Sequence, residues 1–324
     1  MNNFIKSCIK FLIPALTAGI LFVAIYIVLD PFKVIHNYSN YSNIRTGFNR
    51  DYISTETFLK NYKTQQYNSF IFGSSRSQAF LPSNWKKHLS PSDNVFSFDA
   101  SGETVYGIWK KLQLIDKLGL HINNALIILC RDVSFLRDDN YEDIIYTKHP
   151  ILSGENEWYF QYKFFRAFTV PKFLTSYGKF LINKKYDPSM EGYIVNHHVI
   201  MDSISNELII LEREQEIHGL KKEFYKRTPR VESKNIIGKN FYKMLTDIHN
   251  ILTKHNSKYR VVISPLYEQI KFSPQDINTL KNIFRTNLYD FSGENIFTNN
   301  SYYYYEASHY RTIVGDSIMQ YIYP

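Results

Sequence analysis

An α/β fold built on a doubly wound parallel sheet is what this chain predicts, and three observations predict it. Short apolar runs at 69–72, 95–98, 125–130 and 259–263 each end in small or polar residues, as parallel strands buried on both faces do. Segments with helical spacing stand between them at 103–118 and 236–252, and two more follow at 274–284 and 311–321. Strands alternating with helices make a parallel sheet whose sites gather at the carboxyl ends of the strands. A chain of 324 residues has room for one such domain of about 200 to 250 residues with additions, or for two small ones.

Along the chain, residues 1–10 carry Lys6 and Lys10 and are expected on the cytoplasmic side of a membrane. Residues 11–29 form an uncharged apolar run, close to the roughly 20 residues that cross hydrocarbon as a helix. Beyond it Asp30 and Lys33 nearly cancel, so the positive-inside rule leaves the body extracytoplasmic. The run is longer than the core of a cleaved signal and lacks a clear A-x-A exit, which predicts an uncleaved, single-pass signal anchor. With Cys8 before the run and Cys130 ending a strand, no disulfide is expected.

Residues 30–63 are polar, rich in Asn and Tyr and weakly periodic, and read as a tether. The α/β domain is expected over 64–324, interrupted by a large, mostly helical insertion at about 133–230. Within the insertion, 158–168 is rich in aromatics and 204–226 has the pattern of a charged helix.

Composition excludes some partners. Net charge is +8 but spread along the chain, and the densest basic patch, Lys221-Lys222 with Lys226-Arg227 and Arg230, reads as a solvated helix face, so no nucleic acid is expected. An anionic membrane surface or cell-wall polymer suits the charge better. The aromatic content of 16% fits a sugar-facing surface, with Tyr302 to Tyr305 the nearest candidates, and fits core packing equally. His197-His198 has no acidic partner at i, i+4 spacing from both, and neither a metal nor another cofactor is expected.

The chemistry-bearing residues sit at strand ends. Gly73-Ser74-Ser75-Arg76 follows the first apolar run, a small-residue turn that lifts Ser75 off the strand tip as a candidate nucleophile. Far downstream, Glu306-Ala307-Ser308-His309 is expected to open a helix, with Glu306 and His309 on one face at i and i+3. His309 is then the general base and Glu306 the acid that orients it. The Ser75 N–H and that of Gly102, at the tip of the next strand, are the expected oxyanion donors.

The blocks Gly73-Ser74-Ser75, Phe98-Asp99-Ala100-Ser101-Gly102 and Glu306 to His309 resemble those of SGNH/GDSL-type hydrolases. The likeness is to their membrane-anchored branch of DltD-like and alginate-acetylation-like proteins, which acylate envelope polymers. It covers about 68–132 and 259 onward. Where the family's third block supplies an asparagine, this strand ends Cys130-Arg131-Asp132, leaving Arg131 as the candidate replacement, and Glu306 stands where Asp is usual. The resemblance implies a flavodoxin-like, SGNH-hydrolase-like three-layer sandwich in a bacterial cytoplasmic membrane protein. It also implies a serine esterase or O-acyltransferase that moves an O-linked acyl group, acetyl by first expectation, on an envelope polysaccharide or other O-acylated glycan. A membrane-bound O-acyltransferase is an expected partner. The alternative is a non-catalytic envelope assembly or glycan-binding protein that keeps the fold.

Overall fold

The computed structural model describes residues 2–215, 227 and 232–323. In chain order its elements are α1 (Asn2–Leu29), α2 (Arg50–Gln65), β1 (Ser69–Gly73), α3 (Pro82–Trp85), β2 (Val95–Ser97), α4 (Val105–Lys117), β3 (Asn124–Leu129), α5 (Pro150–Ser153), α6 (Glu157–Phe168) and α7 (Pro171–Asn183). They continue with β4 (Val199–Met201), β5 (Leu208–Ile210), α8 (Leu211–Gln215), α9 (Lys239–Lys254), β6 (Lys258–Ile263), α10 (Pro274–Phe284), β7 (Leu288–Asp290), β8 (Tyr304–Glu306), β9 (His309–Tyr310) and α11 (Thr312–Ile322).

The chain divides into two compact units. The first comprises Met1–Ser39, Ile44–Phe48 and Glu157–Asn196. Its α1 contains a stretch, Phe4–Leu29, long and apolar enough to cross a membrane. At the end of that helix Phe22 and Tyr26 pack their rings on Phe165 and Phe168 of α6, and Phe32 stacks on Phe173 of α7. The Asp30 carboxylate then caps the turn that follows, accepting from the N–H groups of Val34, Ile35 and His36.

The second unit, Asn40–Asn43, Asn49–Asn156 and His197–Pro324, holds a five-stranded parallel sheet in the order β2-β1-β3-β6-β7. Register is direct: Gly73 lies beside Ile128, and Leu129 beside Ile263. Because side chains alternate across a strand, Phe70, Phe72, Ile127 and Val261 face one cluster, where α4, α9 and α10 supply Ile108, Leu245 and Leu280. Ile71, Leu126, Ile128 and Val262 face the other, against Val314, Ile318 and Met319 of α11. Both faces are therefore covered, and the polar strand ends converge at one edge.

Three expectations need correction. The 30–63 tether contains α2, whose Phe58 lies in the first core cluster. Its polar residues Arg50, Asp51, Ser54 and Thr55 are buried as well, which hid the helix from a hydrophobicity pattern. The 133–230 insertion is not a single appendage to the sheet, since 157–196 belongs to the first unit. Of the described residues in the expected charged helix at 204–226, 208–210 form β5, paired antiparallel with β4, and 211–215 are helical. Residues 216–226 lie outside the described residues, as does most of the basic patch at 221–230.

Candidate active site

Ser75 stands at the carboxyl end of β1, at the start of a single 3₁₀ turn, Ser75–Ala79. The Ser74 carbonyl holds this turn, accepting from the Ser77 N–H and hydroxyl at 2.8 Å each. Gly73 is required by close approach: a Cβ there would lie 2.9 Å from Ser77 Cβ and 3.0 Å from the Ile128 carbonyl. The turn can fold back over β3 only without that methyl.

Glu306 and His309 do not open a helix. They are cross-strand partners of the β8–β9 hairpin, and α11 begins only at Thr312. The Tyr-rich run favours an extended backbone, and the hairpin sets acid and base face to face, as the i, i+3 spacing was expected to do. Ser75 Oγ lies 2.7 Å from His309 Nε2, while His309 Nδ1 meets Glu306 Oε1. An ionised carboxylate only accepts, so Nδ1 carries the proton and Nε2 is left to accept from the serine. The second Glu306 oxygen accepts from the Ser308 N–H at 2.7 Å. Burial alone would raise the Glu306 pKa, but the hydrogen bonds from His309 and Ser308 outweigh it and hold the acid down at about 2.

The next residue secures the hairpin. Arg76, buried at 7% exposure, donates from Nε to the Ser308 carbonyl at 2.7 Å and grips Asp132 with both terminal nitrogens at 2.6 and 2.8 Å. Such two-pronged pairs fix orientation as well as adding energy. Asp132, at the end of the third strand block, therefore ties β3 to the base-bearing hairpin through Arg76. Beneath the serine runs a buried polar chain from Ser74 to Cys130 to Ser264 to the Tyr310 hydroxyl, with separations of 3.6, 3.4 and 3.1 Å.

A cavity of about 190 Å³ opens beside Ser75 and His309. Leu81 and Tyr305 wall it together with Leu208, Ile209 and Ile210 of β5. Its Gln78 amide donates to Asp99 at 3.1 Å. Asp99 is in turn gripped by Arg50, with contacts down to 2.8 Å, and Arg50 also donates to the Asn206 carbonyl at 2.7 Å. The β5 wall is thus fastened to α2 and the end of β2.

Ser75 lines this cavity, but the other two residues expected at the oxyanion, Gly102 and Arg131, do not. Gly102 has positive φ, with the Tyr146 ring where its Cβ would be, and Arg131 pairs with Glu268 at 2.6 Å. Of the tyrosine run, Tyr302 is exposed, Tyr304 is buried with its hydroxyl on the Pro265 carbonyl at 3.0 Å, and Tyr305 is the cavity-lining one. His198 pairs with Glu212 at 2.5 Å. Sequence reasoning missed Arg76, Asp132 and β5 as parts of the site. An arginine directly after Ser75 was the one available signal, while β5 is three residues long and runs straight into a helix.

No protein-family model, curated protein or solved structure matches the chain.

Proposed function

We propose that this chain is a membrane-anchored serine esterase or O-acyltransferase of the SGNH type, working on an O-linked acyl group of an extracytoplasmic envelope glycan. The observation that carries the reading is the continuous Ser75–His309–Glu306 relay, with Ser75 Oγ 2.7 Å from His309 Nε2. That separation is within the range a general base needs to take the serine proton. Glu306 holds the tautomer and offsets the imidazolium charge that forms. Counted within the sheet alone, the strand order is 2-1-3-4-5, as in flavodoxin-like doubly wound folds, and Ser75 sits beside the switch between β1 and β3. The apolar helix with basic residues before it supports an anchor with its N-terminus in the cytoplasm. The net charge of +8 suits an anionic envelope polymer.

A fluorophosphonate probe on the full-length protein in detergent tests the reading. Ser75 is the residue labelled, Ser75→Ala abolishes labelling, and His309→Ala slows it by at least about 10³-fold, since nucleophile and base act as a unit. A folded protein that takes no label, or one labelled equally after Ser75→Ala, overturns the serine mechanism in favour of a glycan-binding role.

A further inference from the structure

Acetyl was the acyl group first expected, and the cavity beside Ser75 is far larger than acetyl requires. A dry apolar cavity of about 150 Å³ holds a six-carbon benzene, and this one is about 190 Å³. Its walls are chiefly aliphatic and aromatic: Leu81, Leu208, Ile209, Ile210 and Tyr305. Two of the polar side chains along the wall, Gln78 and Arg213, have other engagements. Gln78 donates to Asp99 at 3.1 Å, and the Arg213 guanidinium lies over the Tyr305 ring at 5.5 Å. Ser75 and His309 are part of its lining, so a chain occupying the cavity can present its carbonyl to the serine.

We propose that this cavity is an acyl-chain pocket which selects unbranched acyl groups of about four to eight carbons over acetyl. The inference rests on the serine-nucleophile reading and names its substrate class. In the reaction, Ser75 Oγ bonds to the acyl carbon of a donor ester and its proton passes to His309 Nε2. The donor's acyl C–O bond breaks, and the departing alkoxide takes the proton back from His309. A glycan hydroxyl or water then attacks the acyl-enzyme, gives its proton to His309 and releases Ser75 with the proton returned. Each added methylene that enters an apolar pocket favours the acyl transition state by about fourfold.

The test measures kcat/KM of the full-length protein on p-nitrophenyl acetate, butyrate, hexanoate, octanoate and dodecanoate. The expected profile climbs by about fourfold per methylene, peaks between about four and eight carbons and falls at twelve. Ile210→Phe narrows the cavity and is expected to cut the hexanoate-to-acetate ratio at least tenfold, with Leu81→Phe doing the same. A profile flat in chain length or highest at acetate overturns the pocket while leaving the nucleophile standing. Absence of turnover on every ester, together with absence of fluorophosphonate labelling at Ser75, overturns the nucleophile itself. The profile of the unaltered protein decides the question even where a variant fails to fold.

Discussion

Gly315, in the first turn of α11, is where the base-bearing segment presses hardest on the turn that carries Ser75. A methyl added there would lie 2.0 Å from the Ala79 carbonyl oxygen and 2.6 Å from its carbon. Both are backbone atoms, so no rotamer change relieves the overlap. Carbon–oxygen contacts settle near about 3.3 to 3.6 Å, so Gly315→Ala must drive α11 and the Ser75–Ala79 turn apart by about 1.3 Å or more. Only Arg311 separates β9 from α11, so His309 moves with the helix. The Ser75–His309 hydrogen bond, 2.7 Å in the native arrangement, then opens beyond hydrogen-bonding reach. Overpacking of this kind costs about 1 to 3 kcal/mol, a fall in Tm of about 2 to 12 °C for a domain of this size. A misplacement of about 1 Å at reacting groups costs about 100-fold in rate. Thermal unfolding and the rate of fluorophosphonate labelling measure the two effects. Native Tm together with labelling within twofold of native would show that the close approach is not transmitted to the site.

Asp132→Asn removes the charge that Arg76 grips, and because Asp132 keeps 30% exposure the stability loss is expected at about 1 to 3 kcal/mol, below that of a fully buried pair. If Arg76 positions the hairpin, labelling of Ser75 slows by at least about tenfold in the folded variant; a stability loss with native labelling would make the pair structural only. Glu306 provides a pH test. Its folded pKa of about 2 lies below the roughly 4.3 of an unfolded glutamate, so its contribution is complete above that upper value and disappears as pH falls towards 2. Urea unfolding from pH 6 down to 2.5 should therefore show the gap between native and Glu306→Gln proteins closing, and a gap constant with pH would refute the assignment.

What could be read in the sequence follows the chemistry of burial. β1, β2, β3 and β6 are continuous apolar runs because both faces of the sheet are covered, and α4, α9, α10 and α11 are amphipathic because one face meets that sheet. β7 is only Leu288–Asp290, too short and mixed to register as a run. α2 was illegible for a different reason, because its buried face is built on charge. Asp51 and Glu103 enclose Lys111 and Lys148, with both lysines 2.5 Å from Glu103 and 3.1 and 3.3 Å from Asp51. A pattern that equates buried with apolar cannot find such a helix. At the site, Ser75, His309 and Glu306 were legible as residue types at strand ends, whereas the Arg76–Asp132 brace and the docking of the hairpin on Ser75 depend on contacts across 56 and 234 positions of chain.

The separation of 234 positions between Ser75 and His309 has a consequence for the growing polypeptide. Ribosomes add about 5 to 20 residues per second, so the serine is made some 12 to 47 seconds before the imidazole proposed to activate it. Throughout that interval its hydroxyl is an ordinary, weakly nucleophilic alcohol. On the proposed mechanism, a nascent chain would therefore be chemically silent towards esters until His309 is made. Any message truncated ahead of the β8–β9 hairpin would likewise yield a product with Ser75 and no His309.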